Sequence, residues 1–329
     1  MRGLFCMTPQ ISESAGGRGG GGRAESSSGS RFSFSFIDMT AGGSEPLDID
    51  TSFSFLTGLP GIHTLLFRDS CNGLILFEHR EQQPRSGRLG YIVCNPTTKE
   101  WKAVPTCGSP TSLTYPHLAF DPAVSTHFHL VQFQVEDDEE FLSVHDYSSE
   151  TGAWSDNQID HGWRQLGFYL ADPQPCPFVN GFLHLLVWDA GELKIAALDV
   201  QGKATGMMIT VPQQALRYLG ESQGRLHCIT EELRISAPEG KYKMNIWVLQ
   251  NYDTHEWVLK DTLINLEAFG DDMEFEVVDI HQDRDVVFFT HPVEHELVAY
   301  DMGSKQVSLV ATFDAQKGLI STARYVPCV

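Results

Sequence analysis

Carboxylates, histidines and cysteines are the residue types in this sequence that could do chemistry, and their spacing decides whether they do. The acidic run Glu136–Glu140 and the pair Asp271–Asp272 supply carboxylates. Adjacent carboxylates in a polar stretch mark a solvated loop, whereas general acid–base work needs two groups held apart in a dry site. His127 and His129 stand two apart, on one face of a strand, and His291 and His295 flank a turn. Either pair could begin a metal site, but no third ligand follows nearby, so hydrogen-bonded structural histidines are the expectation. Cys6, Cys71, Cys94, Cys107, Cys176, Cys228 and Cys328 include no C-x-x-C pair, and their odd number argues against a disulfide framework. Most of them read as small core hydrophobes. No catalytic residue, cofactor or metal is assigned from these patterns.

Charge narrows the partners. The formal net charge is −20, with 23 Lys and Arg and no basic run, so a phosphate backbone or an anionic lipid surface would repel the chain. Nucleic acid and membrane are both excluded as expected partners. The longest apolar runs, such as Phe182–Trp188, fall far short of the roughly 20 residues a span requires. Met1–Met7 is too short for a secretion signal and no Asn-x-Ser/Thr sequon occurs, which points to the cytoplasm or nucleus.

The elements that must position any site are strands. Residues 1–30 carry GGRGGGGR and ESSSGS and read as a disordered leader. The glycines are no phosphate loop, since no Gly-Lys-Ser/Thr follows, and an RGG-like segment would have only Arg18 and Arg23. From Arg31 the apolar period becomes two: Phe32, Phe34 and Phe36 in one strand, Phe53 and Phe55 in another. Then comes Ser70–Pro105, in which an Asn72-Gly73 turn, the strand Leu74–Phe77, a polar loop, the strand Tyr91–Cys94, a turn and the Trp101 strand follow one another. The same order returns four times. Anchors at Trp101, Trp154, Lys203, Trp257 and Val307 give a period of about 50 residues, that of a four-stranded propeller blade. The fold class is therefore all-β, a β-propeller of about six four-stranded blades over 31–329. Its ring is closed by two strands in Arg31–Phe55 and one in Leu319–Pro327, because closure removes exposed strand edges.

SCNGLILF followed by YIVCNPTTKEWKAVP, then LAFDPAVSTHF, the YSSETGAW turn and FVNGFLHLL, resembles the C-terminal propeller domain of plant F-box proteins, a relative of the kelch-type F-box associated domains. The resemblance implies the substrate-recognition part of an SCF-type E3 ubiquitin ligase, in which an F-box binds the Skp adaptor and cullin and the propeller holds the target for ubiquitination. The first fifty residues are Gly, Ser and β-like rather than leucine-rich amphipathic helix, so the expectation is a propeller without its own F-box, joined to Skp and cullin only if one is supplied elsewhere.

Trp101, Trp154 and Trp257 share one repeat position and are expected to pack blade against blade. Trp163 and Tyr169 lie outside the repeat in the connection Asn157–Pro177, where loops on a rigid scaffold carry binding residues. Loops between second and third strands emerge beside the inter-blade connections, because successive strands are antiparallel. Arg80, Arg85, Arg88, Asp137, Glu139, Trp163, Tyr169 and Arg217 are thus the expected target-protein contacts on one long-loop face. The alternative is a propeller hydrolase working in the central channel. It requires ionisable residues gathered by the inner strands, and Arg68, Asp69, Asp121, Arg217, Glu221, Glu276 and Asp279 lie near the ends of those strands without forming a recognisable constellation.

Overall fold

A computed structural model describes residues 3–10, 31–39, 49–62, 64–80, 88–107, 113–135, 142–155, 169–170, 175–200, 207–234, 241–264, 275–291, 295–314 and 321–327. The chain opens with β1 (Gly3–Gln10) and β2 (Arg31–Asp38) and a single helical turn, α1 (Ser54–Thr57). The first full blade is β3 (Thr64–Cys71), β4 (Leu74–Arg80), β5 (Arg88–Cys94) and β6 (Trp101–Val104). The second is β7 (Leu113–Ala119), β8 (His129–Val135), β9 (Leu142–Ser148) and β10 (Ala153–Ser155). The third holds β11 (Tyr169–Leu170), β12 (Phe178–Val179), β13 (Phe182–Asp189), β14 (Glu192–Asp199) and β15 (Met207–Thr210). The fourth is β16 (Leu216–Ser222), β17 (Arg225–Arg234), β18 (Lys241–Asn251) and β19 (Glu256–Ile264). The fifth is β20 (Glu276–Ile280), β21 (Val286–His291), β22 (Glu296–Asp301) and β23 (Gln306–Thr312), and β24 (Ser321–Tyr325) ends the chain. Every pairing is antiparallel, and the six sheets form a six-bladed propeller.

The repeat has a visible mechanism. In the first, third and fourth blades, first and second strands are joined by two-residue turns with positive φ at both positions: Asn72-Gly73 at 43° and 87°, Asn180-Gly181 at 53° and 85°, and Gln223-Gly224 at 54° and 68°. That is the type I′ geometry whose twist matches the flanking strands. In the first, fourth and fifth blades, third and fourth strands are joined by Asx-type turns. The side chains of Asn95, Asn251 and Asp301 accept bonds from backbone N–H groups two or three residues on, and Lys99, His255 and Lys305 take left-handed φ near 60° before the last strand. Between blades, Trp154 Nε1 donates to the carbonyl of Pro105 at 2.9 Å and Trp257 Nε1 to that of Thr210 at 2.8 Å, each at the outer end of the preceding blade. Those two tryptophans are the blade-to-blade packers expected. Trp101 is 44% exposed, because the blade before it is the closing sheet, which shows no fourth strand among the described residues.

The closing sheet corrects two expectations. Its order is β2-β1-β24, so the terminal strand pairs with Gly3–Gln10 rather than with a strand inside Arg31–Phe55. Part of the stretch read as a disordered leader is therefore the middle strand of a blade; the glycine-rich remainder lies outside the described residues. Leu4, Phe5, Cys6 and Met7 are all buried, and a strand covered on both faces shows a continuous apolar run instead of alternation. Phe53 and Phe55, expected in a strand, flank the start of the helical turn. Asp50 accepts from the Ser52 and Ser54 hydroxyls at 2.8 and 2.6 Å and bends the chain there, and Phe53 is fully buried against Phe5 and Phe77.

Candidate functional site in the central channel

The channel is built by the strand nearest the axis in each blade, and three of these strands bulge. One extra residue, Arg68 in β3, Arg217 in β16 and Val278 in β20, shifts the register against the neighbouring strand. A bulge re-aims the next side chain. The residues that follow, Asp69, Tyr218 and Asp279, all line a channel cavity of about 360 Å³ that is walled by residues of all six blades.

Among the described residues the third blade's inner edge is two short strands, β11 pairing with Val187 and Trp188 and β12 with Phe182 and Leu183, and Pro175–Pro177 just before β12 are not in a strand. Pro175 and Pro177 fall here, and a proline has no N–H to donate to a sheet. Pro177 is fixed by its carbonyl, which accepts from His184 N at 3.1 Å. Cys176, between two prolines, is thereby presented to the channel.

One wall of the cavity is a closed ionic cluster. Arg324 Nη1 donates to the Glu221 carbonyl at 2.9 Å and lies 3.3 Å from Glu221 Oε2, while its Nε lies 3.4 Å from Asp279 Oδ2. Tyr218 donates its hydroxyl proton to Asp279 Oδ1 at 2.8 Å, and Ile280 N donates to the same oxygen at 2.7 Å. Burial raises the Asp279 and Glu221 carboxyls above their ordinary range, with Arg324 opposing the rise in both, and it pushes the Tyr218 phenol well up. Gly220 makes the packing possible, since a Cβ there would stand 2.4 Å from the Tyr218 ring.

The opposite wall is differently made. Asp69 accepts from Ser70 N at 2.7 Å and, across the blade boundary, from Leu118 N at 2.8 Å. Its Oδ2 lies 3.7 Å from His117 Nδ1, and His117 and Cys176 both line the cavity. Burial of His117 works to lower its pKa, but Cys176 and Asp69 outweigh it and hold the imidazole above its ordinary value. Cys71, nearby, donates its thiol to the Phe120 carbonyl, and burial first, then Asp69, pushes it up to about 12.

The residues expected from sequence as target contacts are not gathered into one described site. Arg85, Asp137, Glu139 and Trp163 lie outside the described residues. Arg80 ends β4, where its Nε donates to Glu78 Oε1 at 2.6 Å; Arg88 begins β5 directly opposite it in the ladder. Glu78 is buried between Arg80 and Arg68, whose Nε also donates at 2.6 Å. Tyr169 lies in β11, opposite Trp188. Arg217 is the bulge residue of β16 and pairs with Glu231 while staying largely exposed. Of the inner-strand ionisable residues, Arg68, Asp69, Glu221 and Asp279 do meet in the channel. His117, Cys176 and Arg324 complete the set, and sequence reasoning missed them. His117 fell outside a strand read as starting at Leu118, Cys176 looked like core, and Arg324 sits in the terminal strand, where no repeat copy predicts a charge. Among the described residues, no group of three or more His, Cys, Asp or Glu could hold a metal ion. His129 instead meets Asp146 at 3.1 Å, and His127 precedes β8 rather than sharing its face.

Six blades around a polar channel define a β-propeller. The chain belongs to the F-box associated beta propeller domain family, which matches residues 27–318. The matched range leaves out β1 and β24, the strands that close the ring. A comparison with curated proteins finds no match. Among solved structures, a putative TolB from Agrobacterium tumefaciens is similar at 12% identity over 75% of this chain and 81% of its own, with a TM-score of 0.44. A chain of a nidogen/laminin complex is similar at 10% identity over 80% and 85%, TM-score 0.41. Prolyl oligopeptidase B from Galerina marginata is similar at 10% identity over 78% of this chain but 34% of its own, TM-score 0.43.

Proposed function

We propose that this propeller is a non-catalytic protein-binding module that recognises the substrate of an SCF-type E3 ubiquitin ligase, with the F-box that reaches Skp and cullin supplied elsewhere. Family membership across 27–318 is the observation that carries this reading. Geometry supports the side on which the target is held. Arg80 and Arg88 end their strands on the side of the ring where Tyr169 also pairs, away from the Asn72-Gly73, Asn180-Gly181 and Gln223-Gly224 turns. Loops on a rigid frame are the economical place for a variable contact surface. No described helix is long and apolar enough to cross a membrane, and a ligase receptor of this kind works in the cytoplasm or nucleus. A hydrolase in the channel is the less supported reading, because Asp279 and Glu221 are held by Arg324 and Tyr218 rather than left to exchange protons.

Two measurements test the proposal. Affinity purification of the tagged chain from its own cells should recover a Skp adaptor and a cullin; their absence removes the ligase reading and leaves a binding module. Replacing Trp163 and Tyr169 with alanine should weaken capture of the recovered target at least ten-fold, and unchanged capture moves the contact surface off this face.

A further inference from the structure

We propose that the channel cavity binds a small, neutral, polyhydroxylated ring, a free polyol of monosaccharide size held by its hydroxyls. This goes beyond target binding and does not depend on it. Charge excludes the alternatives. Arg68, Arg324, Asp69, Glu221 and Asp279 are the charged residues of the lining, with His117 beside them. Each charge is already answered within the wall: Arg68 by Glu78, whose Oε2 accepts from its Nε at 2.6 Å, Arg324 by Glu221 and Asp279, and Asp69 by Ser70 N and Leu118 N. An incoming ion has to displace one of these partners, and a charge left unpaired in a wall of low dielectric makes that exchange unfavourable. A neutral ligand displaces nothing.

The same groups keep hydrogen-bonding capacity to spare. Arg324 spends Nη1 and Nε on the opposing wall, its Nη2 has no partner among the described residues, and its side chain is 19% exposed. Asp69 and Glu221, 17% and 13% exposed, retain lone pairs beyond the backbone bonds they accept. Adjacent hydroxyls on a ring donate to a carboxylate and accept from a guanidinium at once, which a hydrocarbon or a pure acceptor does not. Two further atoms of the wall lack partners. The side-chain oxygens of Gln282 and Ser321, both residues of the lining, are buried without a hydrogen bond. A hydroxyl both donates and accepts, so it satisfies either side chain once that chain turns toward the ligand. Tyr115, Pro116, Pro177 and Phe178 supply an apolar side to the cavity, against which the C–H face of a ring packs. About 360 Å³ lies at the small end of ligand pockets, which limits the occupant to a single ring. The site is held in place by ring closure: Ser321 begins β24 opposite Met7, and the Gln282 carbonyl accepts from Gln223 N at 2.6 Å.

The experiment titrates the full-length native chain with myo-inositol and D-glucose, and with glucosamine and glucuronate as cationic and anionic counterparts, by saturation-transfer NMR and calorimetry. The expectation is one saturable site for at least one neutral ring, with a Kd of about 1 mM or tighter, and binding about ten-fold weaker for both charged rings. Gln282→Leu removes an amide oxygen that has no partner in the free protein, so Tm should hold or rise while affinity for the neutral ring drops about ten-fold. Cys176→Trp fills the cavity from its wall and should abolish binding in a protein whose circular dichroism is unchanged. No saturable binding of either neutral ring at about 20 mM, well above that Kd, overturns the proposal. Binding of a charged ring as tight as that of the neutral ones overturns it too, and both readouts use the unaltered protein. Unchanged affinity in a folded Cys176→Trp protein puts the ligand outside the channel and overturns it equally.

Discussion

Two walls of one channel use the same backbone device to different ends. At Asp69 and at Asp279 a bulge in the inner strand is followed by an aspartate whose Oδ1 accepts from the next backbone N–H at 2.7 Å. Asp279 is then closed off by Tyr218 and Arg324, so every oxygen is engaged and the blade boundary is fastened. Asp69 fastens its boundary through a backbone donor, Leu118 N, and so its carboxylate still has a face toward His117. The difference lies in what the neighbouring inner strand offers. β16 sends a tyrosine to Asp279, which consumes the carboxylate, whereas β7 sends a main-chain N–H to Asp69 and leaves a side chain to be oriented. A repeat fold can thus keep its geometry constant and vary chemistry through the partner one blade away.

The largest test of that comparison removes the clasp. Arg324→Met leaves Glu221 and Asp279 buried and facing one another without a cation, the situation in which breaking a buried ion pair costs about 3–5 kcal/mol. Urea denaturation should show the midpoint falling with the slope unchanged. Gly220→Ala should come next, at about 1–3 kcal/mol, because its Cβ forces the Tyr218 ring away from Asp279. Asp69→Asn should cost less, about 1–2 kcal/mol, since an amide oxygen still accepts one of the two backbone bonds. If Asp69→Asn proved the most costly of the three, the division into a structural wall and a chemical wall would be wrong.

The ring was legible in the sequence because its parts are local. Positive-φ turns at Asn-Gly and Asx turns ahead of Trp101 and Trp257 are written in a few adjacent residues, and their recurrence gave blade length and number. The closing strand was not legible: Gly3–Gln10 has no alternation to read, and its pairing with Ser321–Tyr325 spans the whole chain. The channel chemistry was half legible for the same reason. Asp69, Glu221 and Asp279 stand at strand ends where a turn marks the axis. Cys176 is placed by a broken strand, and Arg324 by ring closure, so neither placement exists until the blades have met.

Titration of the wall that holds Asp279 and Glu221 gives the smallest effect. Burial raises the folded pKa of Asp279 and of Glu221, so the native state binds protons there more readily than the unfolded chain does. For groups shifted in this direction, the stabilising contribution is fully present below the unfolded values near 4 and is lost as pH rises through the folded ones. Asparagine at position 279 cannot titrate. The stability of Asp279→Asn relative to the unaltered protein should therefore improve as pH rises from 4 to 7, even though the variant loses part of its hold on Arg324. Denaturation midpoints for Asp279→Asn and the unaltered protein at pH 4, 5.5 and 7 settle the matter: a difference between them that does not shrink as pH rises would mean that burial does not hold the Asp279 carboxyl up.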